Sequence, residues 1–480
     1  MGLDSPVFLF LFLPMALVLF HAMPERGRSP LLLGLSLIFC AWGDTYSLWV
    51  LLGSIVFNYG LGLIIENTEP GRSRKIGLAI AVGANISLLI YYKYLNFAIE
   101  NISRLGFTVS SQFDFTGWHL PLGISFFTFS AIAYQVDIYR ENCHAEKNPV
   151  TFAVYLAHFG KIIAGPIARF RDSRGRFRTR SVTLQDFSEG AMRFVLGLGK
   201  KVLVANPAAA FADEVFSRAG GLDMPTAWLG LLCYTIQIYF DFSGYSDMAI
   251  GVGRMVGFNF PENFNYPYIS QSIQEFWRRW HMSLSTWFRD YLYIPLGGNR
   301  ISKARTYVNL VLVFVLCGLW HGASWSFIVW GTYHGCFLAA ERAGLDRLLN
   351  RMGRPVRHLY ALFVVMVGWV FFRADTLTQA IQYCQSLFTF STATYDYIAM
   401  AFLNRQVWAV VVAGVVGSMP IPALFGYMRE RLEGIGDIRL LSFFDFNCRI
   451  GSVAFFLIVL IASLMALAAN TYSPFIYARF

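Results

Sequence analysis

Long apolar runs, broken only by short and mostly basic loops, leave this 480-residue chain few ways to fold. They fall at residues 5–22, 30–44, 46–64, 76–98, 119–138, 150–167, 188–217, 226–256, 306–320, 323–341, 358–372, 406–427 and 450–470. A backbone inside hydrocarbon must satisfy its own N–H and C=O groups, which leaves helices and closed barrels. The runs are continuous and lack the period-two alternation of barrel strands, so helices are expected. Only 14% of the residues are charged, against about 25% in a soluble domain. Mean hydropathy is +0.49. The expected fold class is an all-α integral membrane protein, a single domain over 1–480, with about 11–13 transmembrane or re-entrant helices. Runs 150–167, 306–320 and 323–341 fall short of the ~20 residues that cross a bilayer. They are expected as re-entrant or half-depth elements, buried in protein or lining a cavity.

Charge placement predicts the orientation. Arg26 and Arg28, Arg72 to Lys75, Arg140 to Lys147, Arg169 to Arg180, Lys200 and Lys201, Arg278 to Arg305, Arg342 to Arg357 and Arg429 to Arg439 are expected in the cytoplasm. Loops 99–118, 218–225, 374–405 and both termini then lie outside, with Arg373 as the exception. A cysteine at Ser173 is expected to resist an external thiol reagent, and one at Ser391 to react. The net charge of +10 follows from this bias, so no nucleic-acid partner is inferred; membrane lipid is. Pro6 to Phe20 resembles a signal-peptide core, but it lacks a basic leader and a small-residue cleavage site before Pro24-Glu25-Arg26. It reads as a retained first span. Seven scattered cysteines, with no Cys-x-x-Cys pair, support neither a disulfide framework nor a zinc site.

Polar residues inside the apolar runs mark where chemistry can occur. His321 lies in Leu319-Trp320-His321-Gly322-Ala323-Ser324-Trp325, inside the otherwise apolar stretch Tyr307 to Ala340. An ionisable residue at membrane depth is read first as a functional site. Without a neighbouring nucleophile, such a histidine suits a general base acting on an acceptor hydroxyl. A proton-relay histidine of a transporter would look the same. Asp241, Ser243 and Asp247 lie in the run 226–256. The two aspartates sit about 240° apart on one helix, so they either lock helices through basic or hydroxyl partners or line a cavity. His334 is expected to be packed and hydrogen-bonded, pointing away from His321; His119 and His158 sit at segment ends, where a histidine is ordinary.

The largest interruption, 258–305, is aromatic, basic and rich in turns. Trp277, Trp280 and His281 are spaced to share one helical face. With Arg278 and Arg279 they read as an amphipathic helix lying on the membrane surface. No Gly-x-Ser-x-Gly serine motif, phosphate-cradling loop or His-Glu-x-x-His zinc motif is present.

Several long motifs carry a resemblance. They are Trp320-His321-Gly322-Ala323-Ser324-Trp325 with Trp330-Gly331-Thr332-Tyr333-His334-Gly335; Leu120-Pro121-Leu122-Gly123-Ile124-Ser125-Phe126-Phe127; Ile163-Ala164-Gly165-Pro166-Ile167; Tyr239-Phe240-Asp241-Phe242-Ser243-Gly244-Tyr245-Ser246-Asp247; Phe276-Trp277-Arg278-Arg279-Trp280-His281; and Trp287 to Arg300. Together they resemble the membrane-bound O-acyltransferase (MBOAT) family, in its bacterial alginate-acetylating and teichoic-acid-alanylating branch. The chain departs from the family pattern at Phe159-Gly160-Lys161, where Phe-Pro-Gln is usual.

The resemblance implies a ring of tilted helices around a thin centre, with 258–305 on the cytoplasmic wall and 306–341 as the catalytic region. It makes His321 and His281 the catalytic histidines, with Trp277, Arg278, Arg279 and Trp280 along the donor path. Asp241, Ser243, Asp247, Trp320 and Trp325 are the tunnel-lining candidates. It implies no metal and no tightly bound cofactor, with acetyl-CoA or another acyl thioester as donor substrate. The acyl group would cross the inner membrane to an extracytoplasmic SGNH-hydrolase-like partner, which would acetylate an exported polysaccharide such as alginate. The alternatives are D-alanyl transfer from a carrier protein and, in a different class, a transporter with a polar relay through Asp241, Asp247 and His321.

Overall fold

The first apolar run folds as the helix Phe8–Ala22, with Phe8, Phe12 and Phe20 buried. The regular elements after it are helical too among the residues that the computed structural model describes, 1–106, 120–172, 182–218, 222–389 and 405–469. His119, the arginines from Arg174 to Arg180, Ser173 and Ser391 lie outside the described residues. Among the described residues, six helices are long and apolar enough to cross a membrane: Thr45–Asn67, Arg72–Arg104, Leu184–Ser217, Lys303–His321, Arg354–Arg373 and Ile438–Ala469. The pair Arg405–Gly417 and Ile421–Ile435, bent by 49° at Pro420, makes a seventh if counted as one span. Ile438–Ala469 buries almost none of its surface and leaves Ile438, Val453, Ile458 and Met465 exposed. Apolar side chains on that scale, exposed on a helix of span length, are what lipid covers.

The centre is the 32-residue helix Met224–Met255, whose residues from Tyr234 to Gly253 are all buried. Protein, not lipid, surrounds its polar groups. It lies against Leu184–Gly199 at backbone distance, because glycines face each other in two places. A Cβ on Gly197 would come 2.5 Å from the Gly244 carbonyl oxygen, and one on Gly251 2.6 Å from that of Gly190. Small residues permit this approach in membrane helix pairs. Gly244 therefore marks a packing contact, and the helix runs through it unbroken.

That closeness brings charges together. Lys201 Nζ lies 2.7 Å from Asp241 Oδ1, and Asp247 takes Arg193 and Lys200 at 2.8 Å each. Lys200 and Lys201, expected on the cytoplasmic side, sit in the π-helical turn Lys200–Ala205 inside the span-length helix Leu184–Ser217. A lone lysine there would be costly; opposed by buried carboxylates it has a counter-ion. Arg373, which broke the charge pattern, pairs with Asp213 at 2.5 Å.

The run 150–167 forms no helix of span length. Asn148 accepts hydrogen bonds from the N–H groups of Val150 and Thr151 and starts the nine-residue helix Pro149–Ala157. The chain then turns through His158 to Ala164 and comes back. Arg169 and Arg171 fasten the returning strand of chain, Arg169 to Asp290 at 2.7 Å and Arg171 to Asp137 at 3.1 Å. Burial opposes ionisation of Asp290, but the Arg289 hydrogen bond and the charges of Arg289, Arg169 and Arg171 outweigh it and hold its pKa below the ordinary value. The run 306–320 departs from expectation. With Lys303 to Arg305 and His321 included, the helix has 19 residues and reaches about 28 Å, a full span.

Candidate active site

Lys303–His321 and Trp325–Ala340 form an antiparallel hairpin with only Gly322, Ala323 and Ser324 between them. Glycines set their spacing. A Cβ on Gly318 would clash with the Phe327 carbonyl, one on Gly331 with the Phe314 carbonyl, and one on Gly335 would come 2.9 Å from Val311 Cα. Ser324 starts the second helix by accepting the Phe327 N–H. His321 is thus the last residue of the first helix, at the hairpin tip, and only 3% exposed.

The last four carbonyls of any helix lack partners within it, and here three of them are satisfied. Gly318 accepts the Gly322 N–H at 3.2 Å, Leu319 accepts the Tyr94 hydroxyl at 2.7 Å, and Trp320 accepts the Lys93 ammonium. The His321 ring is boxed by aromatic neighbours: Trp320 at 4.8 Å, Trp330 and Phe372 at 5.1 Å between ring centroids.

His281 approaches from the insert. Its backbone is left-handed, with φ 43°, a region where histidine is found more often than most non-glycine residues. Asn263 pins the turn, its side-chain oxygen accepting from the Ser283 hydroxyl at 2.6 Å and lying 3.4 Å from His281 Nδ1. Ser283 Oγ in turn accepts the Ile167 N–H at 3.0 Å, tying the end of the run 150–167 to this loop. The His281 ring is fully enclosed, with Phe242 at 4.6 Å and Trp320 at 6.3 Å. Burial lowers its pKa to about 3, so the imidazole is neutral at physiological pH. Trp320 touches both histidines.

Other expected site residues fall elsewhere. Trp277, Trp280 and His281 do not share a face, because the helix Ile273–Arg279 ends and Trp280 is already extended. The apolar side chains of that helix do not face lipid: Phe276, Trp277 and the following Trp280 are buried in protein. Trp277 packs on Phe314, Trp330 and His334, and Trp280 on Phe264, Phe276 and Trp369. Glu341 holds the start of this helix by accepting the N–H groups of Ile273 and Gln274 at 2.7 and 3.0 Å. Arg279 is engaged by Glu275 at 2.9 Å, whereas Arg278 is exposed. Asp241 and Asp247 are ion-pair partners at helix contacts, and Ser243 is buried beside them. Trp325 is 49% exposed and donates to Asn101 at 3.0 Å. His334 is packed as expected but lacks the expected hydrogen bond among the described residues; Trp277, Trp330 and the Gly368 backbone enclose it. The sequence reading missed Lys93, Tyr94, Asn263 and Glu341, of which only Lys93 carries a signal, a charge in an apolar run.

Comparison with known proteins decides the family. The model of the membrane-bound O-acyltransferase family matches residues 144–377. A probable alginate O-acetylase of Azotobacter vinelandii is 43% identical over the whole of both chains. The chain belongs to the membrane-bound O-acyltransferase family. As a member it is a multi-pass membrane O-acyltransferase. A probable alginate O-acetylase of Pseudomonas aeruginosa is 46% identical over 87% of this chain and 80% of its own. A peptidoglycan O-acetyltransferase of Helicobacter pylori is 36% identical over 84% and 83%. Within this MBOAT chain the enclosed histidine pair, with hydroxyl-reactive base chemistry open to it, is the candidate reaction centre.

Proposed function

We propose that the protein transfers acetyl groups from a cytoplasmic acyl thioester, acetyl-CoA or a carrier protein, toward O-acetylation of an exported polysaccharide. The observation that carries this reading is His321 at the tip of a glycine-spaced hairpin, with Trp320 joining it to His281. A rigid backbone and aromatic walls hold an imidazole where water is scarce, the setting in which a positioned base is most effective. In the step proposed, His321 takes the proton of an acceptor hydroxyl as that oxygen bonds to the thioester carbonyl carbon. The tetrahedral intermediate collapses with loss of the C–S bond, and the proton passes from His321 to the departing thiolate. His281 orients the donor from the side of the insert.

The names of the relatives, two alginate O-acetylases and a peptidoglycan O-acetyltransferase, support a cell-surface glycan as final acceptor. The basic loops between the apolar runs, by the positive-inside bias, favour entry of the anionic donor from the cytoplasm. An extracytoplasmic partner of hydrolase-like chemistry would receive the acetyl group and place it on the sugar. The ion-paired state of Asp241 and Asp247 favours the enzyme over a polar-relay transporter. The test is full-length protein in lipid nanodiscs with radiolabelled acetyl-CoA and a hydroxyl acceptor. Label transfer that depends on His321 supports the reading. Ion or solute flux in liposomes, with no acetyl-CoA consumed, overturns it.

A further inference from the structure

We propose that Lys93 is a positioning residue for His321, fastening the end of the catalytic helix in the reactive geometry. The inference rests on the acyl-transfer reading above and extends it to a residue on a separate span. Lys93 lies in the span Arg72–Arg104, where that helix passes through a π-helical turn, Ile90–Tyr94. Such turns widen a helix locally and recur at functional sites. Here the turn lets two consecutive side chains reach one target. Lys93 donates to the Trp320 carbonyl and Tyr94 to the Leu319 carbonyl, at 2.7 Å for Tyr94.

A lysine within a span is costly unless it meets a polar partner. Lys93 turns inward. Its Nζ lies 5.8 Å from the centroid of the Trp320 ring as well as on the Trp320 carbonyl, so one ammonium holds both the backbone and the indole of that residue. Trp320 is the neighbour of His321 in sequence and the ring that touches both histidines. The carbonyls that Lys93 and Tyr94 satisfy are orphans of the final turn, which the helix cannot pair by itself. Without Lys93 the last turn loses the restraint nearest His321, the terminal helical residue, which is then free to shift.

The test uses full-length protein in nanodiscs with radiolabelled acetyl-CoA, comparing Lys93→Met, Lys93→Arg, Tyr94→Phe and His321→Ala. Misplacing a reactive group by about 1 Å costs about 10²-fold. Lys93→Met should therefore lower kcat by about 10–100-fold, leaving KM for acetyl-CoA and the thermal unfolding midpoint close to wild type. Lys93→Arg should restore most of kcat, and Tyr94→Phe should lose less than Lys93→Met. Wild-type kcat in Lys93→Met beside an inactive His321→Ala overturns the positioning role alone. Loss of kcat together with a lowered unfolding midpoint, and no rescue by arginine, also overturns it, since that pattern is structural. An active His321→Ala instead removes the acyl-transfer reading. If Lys93→Met does not fold, Tyr94→Phe decides: a reduced kcat at unchanged KM supports the proposal, and wild-type kcat overturns it.

Discussion

Lys201 and Asp241 face each other at 2.7 Å with neither side chain more than 2% exposed. Removing one partner of a buried pair strands the other, at about 3–5 kcal/mol. Lys201→Met should accordingly lower the unfolding midpoint of the detergent-solubilised protein sharply. Lys201→Met combined with Asp241→Leu should recover most of the loss, because no charge is then stranded. A double variant as unstable as the single one would show that the pair does more than lock helices.

His321→Ala should reduce acyl transfer by about 10²–10⁴-fold, the range of a general base. Expression and unfolding midpoint should hold, because the hydrogen bonds that fasten this turn to Tyr94 and Lys93 are made by the Leu319 and Trp320 carbonyls. Transfer within a few-fold of wild type would remove His321 from the mechanism.

Much of this was legible in the sequence. His321 is visible as a polar residue in an apolar run, and the long spans are visible as composition. What failed was the assumption that helical periodicity continues. Trp277 and His281 were expected on one face, yet the chain leaves the helix at Trp280 and His281 turns left-handed. Trp325 starts the second helix of the hairpin, half exposed and bonded to Asn101, a placement that its nearness to His321 in sequence did not reveal. The partner of Lys201 was not visible, because Asp241 lies forty residues on and the Gly197–Gly244 and Gly190–Gly251 contacts bring the helices together.

Acid should weaken the fold partly through His281. Its folded pKa is about 3, against about 6.5 in an unfolded chain. Between those values the unfolded state binds a proton that the folded state refuses. Stability from this residue is therefore complete above about pH 6.5 and declines as pH falls toward 3. His281→Asn, which tolerates the left-handed backbone, should flatten the fall in unfolding midpoint over that window. It should also lower activity less completely than His321→Ala. An unchanged acid slope would contradict a neutral, buried imidazole at 281.

Trp320 and Trp325 provide a paired comparison. Trp320→Ala should lower activity strongly, since its ring touches both histidines and Phe126 and Phe129. Trp325→Ala should leave activity within a few-fold of wild type, because the ring faces outward against Phe97 and Asn101. Equal losses in transfer assays would mean that Trp325 also contributes to the reaction centre.

The glycine contacts at Gly318, Gly331 and Gly335 also limit how this enzyme can change. With backbone against backbone along the hairpin, no side chain can be inserted there to tilt the histidine or enlarge its chamber. New substrates have to be accommodated by remodelling the surrounding walls, at positions such as Phe372 on a separate span, while the hairpin stays fixed. The reaction centre is a rigid tool, and its selectivity is set by the parts of the fold that close around it.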